Sequence, residues 1–350
     1  MLYLNILKIF APSAIAFFVG VGITPFITNF LYRHKLWKKK AGKISPDGRA
    51  TPIFDQLHKE KEVGTPRMGG IIIWASVLIT TILFWLLSSW PMFSGKLNFL
   101  SRNQTWLPLF TLIAGSLVGL IDDILQVSTK GDSRNAGLSF TKRLAIVLVI
   151  GAIGAYWFYF RLGMTAISIP FLGPIEIGWL IIPLFILVMV TLFSSGVIDG
   201  LDGLAGGVMA IIFSAYTGIA FFQNQIDLSA FCAVITGGIL AFLWFNIPPA
   251  RFYMSETGIL GLTTVLTVIA FLTDSVLVLP IIALPLTATV ISVVLQLASK
   301  KLRSGKKIFL VAPLHHHFEA LGWPASKVVM RYWVIGIIFA IIGMILTLIK

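Results

Sequence analysis

Four polar clusters interrupt an otherwise apolar chain, and each carries residue types suited to phosphate chemistry. Asp122 and Asp123 adjoin in GLIDDILQ, and Asp199 and Asp202 stand three apart in GVIDGLDGLAGG. Asn246, Tyr253 and Glu256 lie in NIPPARFYMSETG, and His315, His316 and His317 follow one another in KKLRSGKKIFLVAPLHHHFEALGWP. Carboxylate oxygens suit Mg²⁺ or Mn²⁺, the ions that hold pyrophosphates. Phosphoryl transfer asks a protein for charge neutralisation and in-line positioning more than for covalent chemistry. The spacing of Asp199 and Asp202 predicts that both face one side of a helical turn. Gly200, Gly203, Gly206 and Gly207 remove side chains around them, so backbone can approach a phosphate closely, and the helix start that follows favours anions. Tyr253 offers a ring for a base, and the histidines offer metal ligands, phosphate donors or an acid/base. Neighbours on a regular helix diverge by about 100°, so one or two of the three histidines, not all, can serve one ligand. GTPRMGG (64–70) suggests a tight loop on the phosphate side.

These residues must be positioned by membrane helices. The chain has 350 residues, 57% hydrophobic and 12% charged, against about 25% charged in soluble domains. Apolar stretches near the bilayer-spanning length predict ten helices, at 4–32, 69–90, 106–124, 142–160, 178–197, 203–222, 228–245, 258–273, 276–299 and 331–349. The fold class expected is an all-α polytopic membrane protein, one domain over 1–350, with Pro280 and Pro285 bending the ninth span. The first apolar stretch is too long for a signal-peptide core and is followed by a basic flank, so it reads as an uncleaved helix. Residues 165–177 alternate polar and apolar around Gly-Pro and predict a small periplasmic hairpin.

Charge sets the orientation. With both termini outside, the loops 33–68, 122–143, 246–257 and 300–331 are cytoplasmic and hold 22 of the 27 Lys and Arg residues, as the positive-inside rule requires. The net charge of +13 is therefore a membrane-orientation signal and does not point to nucleic acid. The single cysteine, Cys232, sits in an apolar run and excludes a disulfide framework. All four polar clusters fall after odd-numbered spans and so share the cytoplasmic face. That clustering argues against a transporter, whose charges are expected near mid-bilayer. Carboxylates at the end of a membrane helix are disfavoured by the helix dipole by up to ~1 kcal/mol. Near the bilayer they carry a further cost, so a cation such as Mg²⁺, Lys or Arg should lie beside them.

On these motifs the chain resembles the phospho-N-acetylmuramoyl-pentapeptide transferase family. GTPRMGG, GLIDDILQ, GLSFTKR, DGLDGLAGG, FLWFNIPPARFYM and APLHHHFEALGWP occur in the family's order over nearly the whole length. The His triplet followed by GW separates this family from sister enzymes that move N-acetylglucosamine phosphate. The resemblance implies Mg²⁺-dependent transfer from UDP-MurNAc-pentapeptide to undecaprenyl phosphate in the bacterial inner membrane, giving lipid I and UMP, by an enzyme that forms homodimers. It implies that Asp122 and Asp123 are catalytic and handle the lipid phosphate or the metal, that Asp199 is a catalytic or uridine-side aspartate and that Asp202 contacts the nucleotide. Glu256, with Asp123 and Asp199, matches the metal site. Lys61, Asn246, Tyr253 and Gln296 fall where the family holds nucleoside and sugar, His315 and His316 match pyrophosphate-side histidines with His315 catalytic, and Thr65 and His317 are further substrate-binding residues.

Three positions depart from the family's pattern. Gln126 replaces the lysine of DDxxK, Gly196 replaces an asparagine three before DGLDG, and Glu256 in MSETG replaces the aspartate of MGDxG. Lys130, Lys142 and Arg143 are the cations available to stand in for the lost lysine. A degenerate, non-catalytic member is the alternative these departures raise.

Overall fold

The computed structural model describes residues 2–39, 63–90, 97–102, 104–128 and 137–349. Each predicted span meets a helix: α1 (Leu2–Arg33), α2 (Ile71–Leu87), α3 (Trp106–Ser128), α4 (Phe140–Tyr156), α5 (Ile181–Ser194), α6 (Leu204–Phe222), α7 (Ile226–Asn246), α8 (Ser255–Leu272), α9 (Leu284–Leu302), then a short α10 (Leu314–Ala320) and α11 (Ala325–Leu348). Among the described residues, eight helical segments are long and apolar enough to cross a membrane, and α2, at 17 residues, is a shorter apolar helix. The chain is a membrane-embedded protein.

Boundaries move where polar residues belong to helices. The eighth span starts at Ser255 rather than 258, because Ser255, Glu256 and Thr257 form the first turn of α8. The last helix starts at Ala325, its first turns carrying Lys327 and Arg331. The ninth is broken as the prolines require: a turn at Leu279–Ile282 is followed by α9 from Leu284. The hairpin is present as β1 (Ala166–Ile169) and β2 (Gly173–Glu176), paired antiparallel with Ile169 opposite Gly173. Its reversal lies at 170–172, with Phe171 at φ 67°, one step ahead of the expected Gly-Pro.

The core is made by α6, α7 and α8. The apolar stretch of α8 is 89% buried, those of α7 and α6 78% and 72%, whereas α1 is 22% buried and presents Phe10, Phe18, Phe26 and Phe30 outward. Helices approach most closely through small residues, the general route to tight packing in lipid. A Cβ at Gly115 would lie 2.4 Å from Thr264 Oγ1, one at Gly119 2.1 Å from Glu256 O, and one at Gly261 2.0 Å from Ser116 Oγ. The Thr264 hydroxyl also donates across this seam to Thr111 O at 3.2 Å. Gly207 likewise admits the Trp333 indole of α11 against α6. At the far end of α8, Asp274 accepts the Ser168 N–H at 2.9 Å and the Ser168 hydroxyl, fixing the hairpin to that end of the bundle.

The α3–α8 seam sets the position of everything at its polar end. Gly119→Val places carbon against the backbone of Glu256 and Thr257, and overpacking of this kind costs about 1–3 kcal/mol. We expect a lowered Tm in detergent and loss of turnover, whereas Gly22→Val, in open space on α1, leaves both near wild type. Thermal unfolding followed by size exclusion checks the comparison.

Candidate functional site

The site is built on the start of α8. The first N–H groups of a helix have no partner within it and carry a partial positive charge. Here carboxylates from elsewhere in the chain accept them. Ser255 N donates to Asp199 Oδ2 at 2.8 Å, and Thr257 N donates to Asp123 Oδ2 at 2.9 Å, joined by the Thr257 hydroxyl at 2.7 Å. Asp123 is fully buried and Asp122 nearly so, one helical turn beyond Gly119.

Cations complete the neutralisation. Arg67 Nε lies 3.3 Å from Asp123 Oδ1. Burial opposes the charge on Arg67, but the carboxylates of Asp123, Glu256 and Asp199 outweigh it and hold the guanidinium above its ordinary pKa. Arg143 contacts Glu256 Oε1 and lies 3.5 Å from Asp122 Oδ2. Asp122 further accepts Gln126 Nε2 at 2.9 Å and Leu138 N at 2.5 Å. Of the cations considered for the lysine absent at 126, Arg143 reaches the carboxylates, and Lys130 lies outside the described residues. Arg67 was not singled out from sequence, although its place in GTPRMGG, a motif already marked for its phosphate-side loop, was a usable signal.

That motif is held by backbone pairing. Gly69 N donates to Tyr253 O at 2.8 Å, Gly70 N to Met254 O at 3.2 Å and Tyr253 N to Pro66 O at 2.9 Å. A Cβ at Gly70 would lie 2.2 Å from Gly258 N, so the glycine pair lets this loop lie flat on the start of α8 and delivers Arg67 to Asp123.

The aspartates of DGLDG do not sit on a regular helical turn. A 3₁₀ turn, Ser195–Ile198, runs into a non-helical turn that ends at Gly203, φ 80°. Both side chains nonetheless meet the same segment, Asp202 Oδ2 accepting Ala250 N at 3.2 Å as Asp199 accepts Ser255 N. Asn246 ties the two strands of chain together: its Oδ1 accepts Gly203 N and its Nδ2 donates to Phe252 O, each at 2.9 Å.

The histidines divide as helix geometry predicts. His315 and His316, both buried, face Gly200, where an added Cβ would stand 2.6 and 2.7 Å from their Nε2 atoms. His317 turns away, its Nδ1 accepting Leu310 N at 3.2 Å and its ring packing on Phe309. Gln296 lies beneath that loop: its Oε1 accepts Ile308 N and Phe309 N at 3.0 Å and its Nε2 donates to Phe309 O at 2.8 Å. The structure thus gathers Asp122, Asp123, Asp199, Asp202, Asn246, Glu256, His315 and His316 at one end of the bundle. Tyr253 joins them through its backbone, Thr65 is half-buried two residues from Arg67, and Lys61 lies outside the described residues.

Among the described residues no three His, Cys, Asp or Glu side chains are drawn together tightly enough to hold an ion by themselves. The donor chemistry still fits Mg²⁺, which usually takes one or two carboxylates and completes its shell with water and substrate phosphates. Glu256 and Asp123, linked through adjacent residues of α8, offer such a pair of hard oxygen donors.

The fold and site define a polytopic helical membrane protein with a carboxylate, guanidinium and imidazole cluster at one end of the bundle. The pattern of glycosyl transferase family 4 matches residues 105–274. The phospho-N-acetylmuramoyl-pentapeptide-transferase of Geobacillus thermodenitrificans is 34% identical over 334 residues, covering 94% of this chain and 95% of that one. Those of Listeria innocua (34% over 343 residues, 97% and 98% covered) and Chloroflexus aurantiacus (35% over 350 residues, 96% and 89% covered) are similarly related. The chain belongs to the phospho-N-acetylmuramoyl-pentapeptide transferase family.

Two substitutions test the site's construction. Arg67→Met strands the buried Asp123 charge, a change that typically costs about 3–5 kcal/mol. Stability should fall markedly and turnover should be lost, and adding Asp123→Asn should recover stability without turnover, as read by thermal unfolding and product release. Gly196→Asn, which restores the family's residue, should lower Tm without raising turnover, because a Cβ there would stand 2.7 Å from Ile259 Cγ2. Pairing it with Ile259→Ala should return the lost stability.

Proposed function

We propose that this chain transfers phospho-MurNAc-pentapeptide from UDP-MurNAc-pentapeptide to undecaprenyl phosphate, releasing UMP and forming lipid I, at the cytoplasmic face of a bacterial inner membrane. The observation that carries this reading is the meeting of Asp123, Asp199 and Glu256, from three distant motifs, at the start of α8 beside Arg67 and Arg143. A site at one end of a membrane bundle suits one substrate that arrives from water and another anchored in lipid. The loops that the positive-inside rule assigns to the cytoplasm carry all four polar clusters, which supports the cytoplasmic face.

In this reading an oxygen of the lipid phosphate attacks the β-phosphorus of the nucleotide sugar, and the bond to the α-phosphate oxygen breaks to release UMP. Arg67 and Arg143 offset the charge of the pyrophosphate, as preorganised donors do most of the work in such transfers. The Nε2 atoms of His315 and His316, set against Gly200, face the side on which phosphate groups bind, where an imidazole N–H donates to a phosphate oxygen and an unprotonated ring nitrogen accepts from a protonated one. Asp122 and Asp123 orient the acceptor phosphate through the charges placed around them. Asp202, Asn246 and Tyr253 shape the wall on which nucleoside and sugar rest, with Thr65 and Gln296 at its margin; Lys61, outside the described residues, is assigned to the nucleotide by resemblance alone. Glu256 and Asp123 would hold Mg²⁺, with Asp199 beside them at the start of α8, and the ion when bound supplies further neutralisation of the pyrophosphate.

UMP release by purified protein in detergent, with undecaprenyl phosphate and Mg²⁺, is the test. UMP from UDP-MurNAc-pentapeptide, abolished by a chelator, is expected. UMP from UDP-N-acetylglucosamine instead would move the chain to a sister reaction. Asp122→Asn, Asp199→Asn and Glu256→Gln should each reduce turnover by about 100-fold or more, the scale on which positioned electrostatic groups act. Near-wild-type rates in all three would overturn the site assignment.

A further inference from the structure

One buried carboxylate beside the site has no role so far. Glu319 lies three residues after His316 on α10, so the two side chains share a face of the helix. His316 Nδ1 and Glu319 Oε2 are 2.7 Å apart, with side chains only 4% and 7% exposed. The opposite ring nitrogen, Nε2, faces Gly200, next to Asp199, as does that of His315, whose ring centroid is 4.2 Å from that of His316.

An ionised carboxylate has no proton to donate, so a hydrogen bond between these atoms places the proton on Nδ1 of His316. A partner at one ring nitrogen determines what the other presents, and it also fixes the plane of the ring. We propose that Glu319 is a positioning residue for the transfer reaction. It holds His316 with Nδ1–H directed away from the site, so that the lone pair of Nε2 faces the Asp199–Gly203 turn and can accept a hydrogen bond from a protonated phosphate oxygen bound there. This inference rests on the transferase reading above. Glu319 touches neither substrate; it acts through His316.

The geometry sets this pair apart from its neighbours. His317 has its Nδ1 occupied by a backbone N–H of Leu310 and its ring on Phe309, and so serves the loop rather than the site. The contact of His316 with Glu319 is instead made by a side chain of the same short helix, so it moves with His316 as one unit. Gly200 completes the arrangement: any Cβ there would overlap both imidazoles, so the ring edges lie directly against the backbone between the two functional aspartates.

The test compares Glu319→Gln with Glu319→Ala in full-length protein. Gln keeps an oxygen acceptor for Nδ1–H; Ala removes it. Loss of a partner that orients a functional imidazole typically costs about 10–100-fold. We expect Glu319→Ala to lower kcat on that scale with KM for the nucleotide sugar within about twofold, and Glu319→Gln to remain within a few-fold of wild type. In a His316→Asn background, Glu319→Ala should cost nothing further. Histidine ¹⁵N spectra, with His316 assigned by its absence in His316→Asn, should show protonated Nδ1 in wild type and a change of tautomer in Glu319→Ala. Equal losses from Glu319→Ala with and without His316, a Gln variant as impaired as Ala, or an unchanged ¹⁵N pattern would each overturn the proposal. Wild-type UMP release is the control that separates the two readings: if wild type releases none, the transferase reading fails, and the spectra alone decide whether Glu319 sets the tautomer of His316.

Discussion

The start of α8 is the constraint from which the rest of the site follows. Carboxylates at the lipid edge of a bundle are costly, and those at the C-terminal end of α3 face the unfavourable pole of their own helix. Asp123 is tolerated there because its oxygens meet the opposite pole of another helix, the N–H and hydroxyl of Thr257, and a guanidinium. Asp199 is accommodated in the same way by Ser255 N. The contact requires the backbones of α3 and α8 to come nearly together, which Gly115, Gly119 and Gly261 permit. The glycines and the aspartates are therefore one device: the first set the distance at which the second can be neutralised.

The same device explains how the departures from the family's pattern coexist. Losing a lysine at 126 leaves Asp122 with an amide donor, Gln126, but without a nearby full charge from its own helix. Arg143, arriving from the start of α4, bridges Asp122 and the longer arm of Glu256. Ser255, at the position of the glycine in MGDxG, adopts φ 58° and still presents its N–H to Asp199. A side chain at positive φ costs of order 1–3 kcal/mol and persists where the surroundings over-determine it. Here the bond to Asp199 and the packing of Gly70 on Gly258 hold the turn from both sides.

Much of this was legible in the sequence. The apolar spans, the prolines that break the ninth, the alternation of the hairpin and the one-sided placement of the polar clusters are local patterns, and each survives in the structure. The need for cations beside Asp122 and Asp123 followed from helix electrostatics alone, but which cations did not. Arg67 precedes Asp123 by 56 residues and reaches it only through backbone pairing between 66–70 and 253–254, a contact with no periodicity to betray it. The DGLDG turn was misjudged for a similar reason: a spacing of three suggests a helix, but Gly203 at φ 80° and the Asn246 clamp impose a different turn that serves the same end. Helix starts were placed late where the first turn is polar, because Glu256 and Lys327 weaken the apolar signal although they belong to the helix.

Asn246 and Gln296 show how a site of this kind is held in shape. Each sits on a helix and faces an irregular segment, and each uses both ends of its amide on backbone groups of that segment. Near a bilayer such backbone groups cannot rely on water, so irregular chain is tolerated only where the protein satisfies it. A membrane site that must receive a bulky phosphorylated substrate needs irregular walls, since regular helices present few free N–H groups. The amides resolve that conflict by supplying the missing partners from rigid helices. Their resemblance-based assignment to nucleoside and sugar and their observed bonding are therefore compatible: a wall can touch a substrate only after something has fixed the wall. In this bundle the uncharged amides share the fixing with Asp199 and Asp202, whose carboxylates accept Ser255 N and Ala250 N, so that part of the site's own chemistry also holds its wall.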